Sequence, residues 1–122
     1  MIRVVDTSVL IDHLRGDQRA TEVLRAASDA GDELWSVTPV RTEILAGALP
    51  DERDRIDLLL GQLRWLDVTM ELADTAGRIA QPFVRSHPGI DTVDYLLAAT
   101  TEHLGAELLT LNVRHFPMLS GL

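Results

Sequence analysis

The chain has 122 residues, of which 46% are hydrophobic and 25% are charged, and this composition is typical of a folded globular protein rather than a disordered one. It contains no cysteine, which excludes disulfide bonds, thiolate metal sites and cysteine nucleophiles. A net charge of −8 argues against a broad basic surface for nucleic acid, although carboxylates grouped in one pocket can gather cations that reverse the local field. We expect a single domain over residues 1–122.

Two further features of composition limit location and chemistry. The first apolar run meets Asp6 at once, and no apolar stretch approaches the roughly 20 residues that cross a bilayer. These observations predict a soluble cytoplasmic protein that does not enter a membrane. All eleven basic residues are arginine, so mechanisms that require a lysine are excluded.

Hydrophobic spacing predicts the first elements. Residues 2–5 form a short apolar run, partly β-branched, which is typical of a buried parallel strand. Residues 9–14 carry apolar side chains at helical spacing, and Asp17 is a suitable cap for a second helix that continues to Gly31. Residues 33–37 indicate a second strand.

The next elements continue this alternation. The Thr38-Pro39 pair predicts a helix start, with a capping hydroxyl followed by a proline at the first helical position, and this helix should end near Pro50. Residues 51–65 indicate another helix, and residues 66–68 a short strand.

The last third of the chain has the same organisation. Residues 69–86 have helical spacing that Pro82 should kink or shorten, residues 91–103 predict a helix closed by Gly105, and residues 108–111 a final strand. Strands that alternate with helices predict an α/β fold with a parallel sheet. In such sheets, sites gather beyond the carboxyl ends of the strands.

Four acidic residues fall where such a site would form. Asp6 follows the first strand directly, and its alternative role is to cap the next helix. Glu43 lies beside the apolar stripe of its helix, away from the capping-box position, and its alternative is an exposed surface glutamate. Asp91 and Asp94 share a helix face near the amino end, where the helix dipole alone could explain acids, Asp91 above all. Asp94 leads into an apolar run, which is unusual for a surface residue.

Polar residues also close the last predicted strand. Asn112 could position a water or a phosphate oxygen, or it could simply begin a turn. The histidines show no ligand spacing, and only His115 lies near such a site. Converging carboxylates suit Mg²⁺ or Mn²⁺, which prefer hard oxygen ligands, and two such ions can activate a water and stabilise the leaving oxygen of a phosphodiester.

Four segments resemble the PIN-domain ribonucleases, and most of all the VapC toxins of bacterial toxin–antitoxin pairs. They occur in the family's order and span nearly the whole chain: residues 5–12 (VDTSVLID), 42–47 (TEILAG), 94–100 (DYLLAAT) and 109–116 (LTLNVRHF). The resemblance implies a PIN-like three-layer α/β sandwich and an endoribonuclease that depends on Mg²⁺ or Mn²⁺. It also implies a homodimer and a VapB-like antitoxin that assembles with it into a heterotetramer or larger complex.

The resemblance assigns roles to individual positions. It implies that Asp6, Glu43 and Asp94 are catalytic residues and metal ligands. Ser8, or as a second choice Thr7, matches the small hydroxyl residue beside the first acid.

The last motif departs from the family pattern. Asn112 matches its polar residue, but many relatives have an acid where this chain has His115. Asp91, one helical turn before Asp94, is a candidate substitute as a fourth metal ligand. Arg114 and His115 are candidate contacts for RNA.

The hypothesis is therefore a toxin that cleaves RNA phosphodiesters with a metal-activated water. One alternative is a catalytically inactive PIN-like interaction module. Another is an aspartyl-phosphate phosphotransferase with Asp6 as nucleophile, but that class favours a second aspartate where this chain has Ser8 and uses a lysine that this chain lacks.

An apolar cluster is a candidate surface for the antitoxin. It offers more apolar surface than one helix buries on one side, although ordinary core and a dimer interface explain it equally well. The cluster consists of Leu58, Leu59, Leu60, Leu63, Trp65 and Leu66.

Overall fold

A parallel sheet of four strands is the centre of the computed structural model, which describes residues 1–120. The strands are β1 (Ile2–Val5), β2 (Glu33–Val37), β3 (Arg64–Leu66) and β4 (Glu107–Leu109). Their order across the sheet is β3-β2-β1-β4. The helices are α1 (Thr7–Leu14), α2 (Gln18–Asp29), α3 (Thr38–Ala46), α4 (Arg53–Leu60), α5 (Met70–Ala80) and α6 (Thr92–His103), with 3₁₀ turns at Pro50–Glu52 and Val113–His115.

Helices cover both faces of this sheet. The β1–β2 and β2–β3 connections run in one direction across the sheet, whereas the β3–β4 connection returns past β1. Right-handed crossovers therefore put α1 to α4 on one face and α5 and α6 on the other. The helix packing agrees, because α1 contacts α2 and α3 while α5 packs against α6. The predicted α/β sandwich with a central parallel sheet is confirmed.

The strands are apolar because both faces of the sheet are covered. Val4 and Val5 of β1 are fully buried, as are Val37 of β2 and Leu97 of α6. Phe116, which follows β4, also lies in this core and is 1% exposed. Each such side chain contributes roughly 1.5–3 kcal/mol to folding when it leaves water.

Several helix boundaries follow from local chemistry. The side chain of Asp17 accepts a hydrogen bond from the N–H of Ala20 at 3.0 Å, which confirms the predicted cap. Thr69 caps α5 in the same way by accepting from the N–H of Leu72 at 3.1 Å. The same helix, expected over residues 69–86, ends at Ala80, so it is shortened before Pro82 and not kinked at it. Within residues 1–120, no helix combines the length and the apolar character that a membrane crossing requires.

The predicted division between α4 and β3 is wrong. The helix expected over residues 51–65 stops at Leu60, and Trp65 belongs to β3, where it pairs with Ser36. The strand therefore begins two residues before the predicted 66–68 segment. An apolar run satisfies both helical and strand spacing, so its pattern alone did not divide it correctly.

Three other boundaries also differ from the prediction. Because β2 runs directly into α3, the extended residue at the junction is Val37, and Thr38 is already helical without a side-chain capping bond. That helix ends at Ala46 rather than near Pro50. The last strand ends at Leu109, so the polar residues after it lie beyond the sheet.

The pairing of β1 with β4 places the residues that follow these two strands side by side at the carboxyl edge of the sheet. Val5 pairs with Leu109, and the N–H of Asp6 extends the ladder to the carbonyl of Leu109 at 3.0 Å. The next residues on the two strands, Asp6 and Thr110, are therefore neighbours. Because the chain leaves β1 towards β2 while β4 lies on the other side of β1, this edge is the topological switch point, where α/β sheets bind ligands.

Candidate active site

A small cavity at the switch point brings the predicted acids together. Its volume is about 140 Å³, and its lining is Asp6, Thr7, Ser8, Glu43, Asp91, Val93, Asp94, Asn112 and His115. All four acidic residues singled out from the sequence are in this lining, together with both hydroxyl residues, the amide and the histidine. Arg114 is exposed and is not part of the lining.

Asp6 is held by two hydroxyl groups. The carboxylate is 5% exposed, and its Oδ2 accepts hydrogen bonds from Ser8 Oγ and from Thr110 Oγ1, both at 2.8 Å. The Asp6 side chain makes no capping bond to α1, so the alternative role as a helix cap is wrong. The role of Thr110 was missed in the sequence, because it arises only from the pairing of β1 with β4.

Glu43 is connected to the first turn of α1. Thr7 Oγ1 donates a hydrogen bond to Glu43 Oε1 at 2.9 Å, which ties α3 to the residue that follows Asp6. The sequence offered Ser8 and Thr7 as rivals for one supporting position. In the structure each of the two hydroxyls supports a different carboxylate.

Asp91 and Asp94 form a capping box at the start of α6. The N–H of Asp94 donates to Asp91 Oδ1 at 3.0 Å, and the N–H of Asp91 donates to Asp94 Oδ2 at 3.1 Å. The same Oδ2 lies 3.1 Å from Nδ1 of His115. Capping therefore accounts for the position of Asp91 at this helix end, whereas the alternative considered from the sequence was attraction to the helix dipole.

The surroundings of Asp94 disfavour its charge. Burial is the largest influence and, with the negative charges of Asp91 and Asp6, raises the pKa of Asp94 from 3.8 to about 6. The backbone hydrogen bond from Asp91 and the nearby His115 act in the opposite direction. Burial and the charge of Asp94 also raise the pKa of Tyr95, whose buried hydroxyl has no hydrogen-bond partner among residues 1–120.

The four carboxylates share one pattern that suits a cation. Each has one oxygen engaged by a protein donor, while its second oxygen has no hydrogen bond within the described part of the chain. These second oxygens are Oδ1 of Asp6, Oε2 of Glu43, Oδ2 of Asp91 and Oδ1 of Asp94.

The donor set fits Mg²⁺ or Mn²⁺, although it is not drawn together. Hard oxygen donors beside an open space are what these ions require. Among residues 1–120, no three acidic or histidine side chains are close enough to form a ready-made metal site.

The apolar cluster considered for a partner is largely core. Leu59, Leu60 and Leu63 are 7%, 1% and 6% exposed, and the Trp65 indole N–H donates to the carbonyl of Leu60 at 2.9 Å. Leu58 is 68% exposed, so it is the member that offers a surface.

Comparisons with known proteins agree on one family. The PIN domain matches residues 3–119. Ribonuclease VapC19 of Mycobacterium tuberculosis is 40% identical over 121 residues, which are 99% of this chain and 97% of that protein.

Two solved structures share the fold. A toxin–antitoxin complex from Klebsiella pneumoniae aligns with a TM-score of 0.81 at 20% identity, covering 97% of this chain and 92% of that one. A DNA-bound VapBC structure from Salmonella typhimurium aligns with a TM-score of 0.79 at 19% identity, covering 100% and 95%.

Proposed function

The chain belongs to the PIN-domain family, and from this premise we propose that it is a Mg²⁺- or Mn²⁺-dependent endoribonuclease that acts as the toxin of a toxin–antitoxin pair. The observation that carries the proposal is the acidic cavity at the switch point. Four carboxylates line it, and each keeps one oxygen free of donors from residues 1–120. The proposal is supported by the 40% identity of this chain to a ribonuclease over 121 residues, and by the carboxylates of this cavity, which are the type of group that hydrolysis with divalent ions needs.

The four acidic side chains have different roles in holding the cation. Asp6 and Asp94 are the principal ligands, because both are buried at 5% and 7% exposure and are held by donors on one oxygen. Glu43 is the more exposed acid, and its role is to complete the site or orient the water. Asp91 is the proposed fourth ligand, in addition to its capping role.

The surrounding hydroxyl groups orient the carboxylates and do not take part in the reaction themselves. Ser8 and Thr110 both donate to Asp6 Oδ2, which holds this carboxylate in one orientation and leaves Oδ1 for a ligand. The bound divalent ion would supply a water that is more acidic than bulk water and electrostatic stabilisation of the leaving oxygen.

The substrate contacts belong to the rim of the cavity. Asn112 lines it and can hold a water or a phosphate oxygen through its amide. Arg114 is exposed beside it in the 3₁₀ turn, where its guanidinium can pair with a backbone phosphate. Because phosphate contacts carry no sequence information, these residues position RNA without choosing its sequence.

Cleavage of RNA by purified variants tests this proposal. We expect wild-type protein to cleave RNA with Mn²⁺ or Mg²⁺ and to stop when EDTA is present. Asp6→Asn should lower the rate by roughly a hundredfold or more, because a ligand charge is lost while the shape is kept. Asp74→Asn is the matched control, since Asp74 is exposed on α5 and does not line the cavity.

Two results would contradict the proposal. One is a folded Asp6→Asn protein that cleaves as fast as wild type with Mg²⁺. The other is wild-type protein that neither cleaves RNA nor binds Mn²⁺ in a calorimetric titration, which would favour an inactive PIN-like interaction module.

The second half of the proposal is a protein partner. We propose that a small VapB-like antitoxin binds this chain, and that the chain forms a homodimer within a heterotetramer or larger assembly. The support is the shared fold with toxin–antitoxin complexes at TM-scores of 0.81 and 0.79. Exposed Leu58 adds local support, because it borders a groove that Leu14 and Arg55 also line.

Co-expression tests the partner directly. The chain is expressed with its neighbouring upstream reading frame, and only this chain carries an affinity tag. A small protein should elute with it and suppress cleavage of RNA. Purification of this chain alone, with cleavage unchanged by the neighbouring protein, would contradict the pairing.

A further inference from the structure

His115 brings an imidazole to a cavity that is otherwise lined by acids, hydroxyls, an amide and a valine. Its Nδ1 lies 3.1 Å from Asp94 Oδ2, and the two side chains are 37% and 10% exposed. The ring therefore contacts the buried carboxylate of Asp94 at the start of α6. One side of the ring remains exposed to solvent.

The direction of this hydrogen bond follows from the acceptor. An ionised carboxylate only accepts, so His115 Nδ1 must carry the proton, whether the ring is neutral or charged. Asp94 Oδ2 then receives two donors, the N–H of Asp91 at 3.1 Å and His115 Nδ1 at 3.1 Å. Partial rotation of the carboxylate would weaken both bonds, so the two donors fix the plane of the carboxylate and leave its second oxygen free of them.

The backbone that carries His115 is well anchored. The N–H of His115 donates to the carbonyl of Asn112 at 3.1 Å, and the next residue, Phe116, is 1% exposed in the core. Asp94, unlike Asp6, receives no hydroxyl donor among the described residues. The imidazole thus does for Asp94 what Ser8 does for Asp6.

We propose that His115 is a positioning residue, which donates Nδ1–H to Asp94 Oδ2 and thereby holds Asp94 Oδ1 ready for a divalent cation. This inference rests on the proposed function, because it concerns the cation site of the same cavity. It assigns His115 to the carboxylate rather than to RNA. The general rule for metal sites is that such supporting donors tune affinity without touching the ion.

The test compares two replacements of His115. His115→Phe keeps a flat ring and removes the donor. His115→Asn retains a donor, since its amide nitrogen is as many bonds from the backbone as Nδ1. Titration calorimetry with Mn²⁺ should give an affinity about tenfold weaker for the Phe variant and within about threefold of wild type for the Asn variant.

A control histidine and a spectroscopic readout sharpen the comparison. His103→Phe alters an exposed histidine at the other end of α6, which lines a different cavity, and should leave Mn²⁺ affinity unchanged. Electron spin-echo spectroscopy of Mn²⁺-loaded wild type should show no directly coordinated nitrogen. If the Phe variant does not fold, His115→Ala takes its place in the same titration.

The outcomes separate this inference from the proposed function. Wild-type binding of Mn²⁺ with an unaffected Phe variant would overturn the role of His115 alone. So would an Asn variant as weak as Phe, or a directly coordinated nitrogen signal, which would make His115 a ligand. Absence of Mn²⁺ binding by wild type would overturn both proposals.

Discussion

Asp94 is the single residue whose surroundings oppose its charge most clearly. It is 7% exposed, and its pKa is raised from 3.8 to about 6, first by burial and then by the charges of Asp91 and Asp6. An acid with a raised pKa in the folded state stabilises the fold fully at pH below 3.8, where it is protonated in both states. That stabilisation is lost as the pH rises through about 6, because the folded protein must then hold a buried charge.

Asp94→Asn should therefore stabilise the metal-free protein at neutral pH while it abolishes cleavage of RNA. In urea unfolding with EDTA, the free energy of unfolding of wild type should fall relative to the variant between about pH 4 and about pH 7, by on the order of 2 kcal/mol. The asparagine oxygen can still accept from His115, so the local structure is kept. Asp74→Asn serves as the control and should show no such pH-dependent difference from wild type. If the free energies of unfolding of wild type and Asp94→Asn differ by a constant amount over this pH range, the raised pKa of Asp94 is contradicted.

At the scale of elements, the start of α6 combines a helix cap with a proposed ligand. The Asp91 side chain accepts from the N–H of Asp94 at 3.0 Å, which by itself stabilises a helix by about 1 kcal/mol. The free Oδ2 of Asp91 belongs to the acidic cavity. Capping needs an acceptor but no charge, whereas binding a cation benefits from the charge, so substitutions can separate the two roles.

Asp91→Ala and Asp91→Ser form a matched pair for this separation. The alanine variant should lose about 1 kcal/mol in urea unfolding, and serine should recover most of it because its hydroxyl caps nearly as well. Both variants should bind Mn²⁺ about tenfold more weakly than wild type, since neither supplies a carboxylate. If the serine variant binds Mn²⁺ as tightly as wild type, Asp91 is a cap and not a ligand.

Sequence patterns predicted the elements whose signals are local. The apolar run of β1 and the Asp17 cap lie where spacing and side-chain chemistry indicated, and α5 is shortened before Pro82, which is one of the two effects expected of the proline. The α4–β3 boundary was wrong, because the position of Trp65 depends on pairing with Ser36 in another strand. Local spacing carries no information on such a partner.

The same distinction applies to the site. Asp6 and Asp94 were predictable from their unusual places beside apolar segments, and they lie in one cavity. The bond from Thr110 to Asp6 joins residues 104 positions apart, and the contact of His115 with Asp94 joins residues 21 apart. Both supports depend on strand register and on the turn after β4, so the donors were harder to predict than the acids they hold.

At the scale of the whole molecule, the sheet separates two charged clusters. The acidic cavity lies beyond the carboxyl ends of the strands, where the carboxylates have His115 as their one basic neighbour among the described lining residues. At the amino ends, Arg3 Nε lies 3.1 Å from Asp32 and Arg3 Nη1 lies 2.9 Å from Glu107. The Asp32 side chain is only 7% exposed, so its pairing with Arg3 joins β1 to the start of β2. One end therefore stabilises the fold, while the other gathers like charges that repel one another.

This separation predicts opposite effects for two single substitutions. Asp32→Asn should lower the free energy of unfolding by about 1–3 kcal/mol, because Arg3 loses its buried charged partner. It should keep the gain that Mn²⁺ provides, which is about 2.7 kcal/mol at roughly a hundred times the dissociation constant. Asp6→Asn should retain metal-free stability and lose that gain. Urea unfolding of both variants and of the double variant is measured with Mn²⁺ and with EDTA. It gives the metal-free stability of each protein and the gain that Mn²⁺ provides.

The double variant decides whether the two ends are independent. Asp6 and Asp32 lie at opposite ends of the strands and share no partner among residues 1–120, so their effects should add within about 0.5 kcal/mol. Loss of the Mn²⁺ gain in Asp32→Asn would contradict this, since it would mean that the amino-end pairing shapes the cavity through β1. Additivity would instead mean that the Arg3–Asp32 pairing stabilises the fold independently of the cavity. The fold would then tolerate the repulsion among the acids, and their charge could serve cation binding.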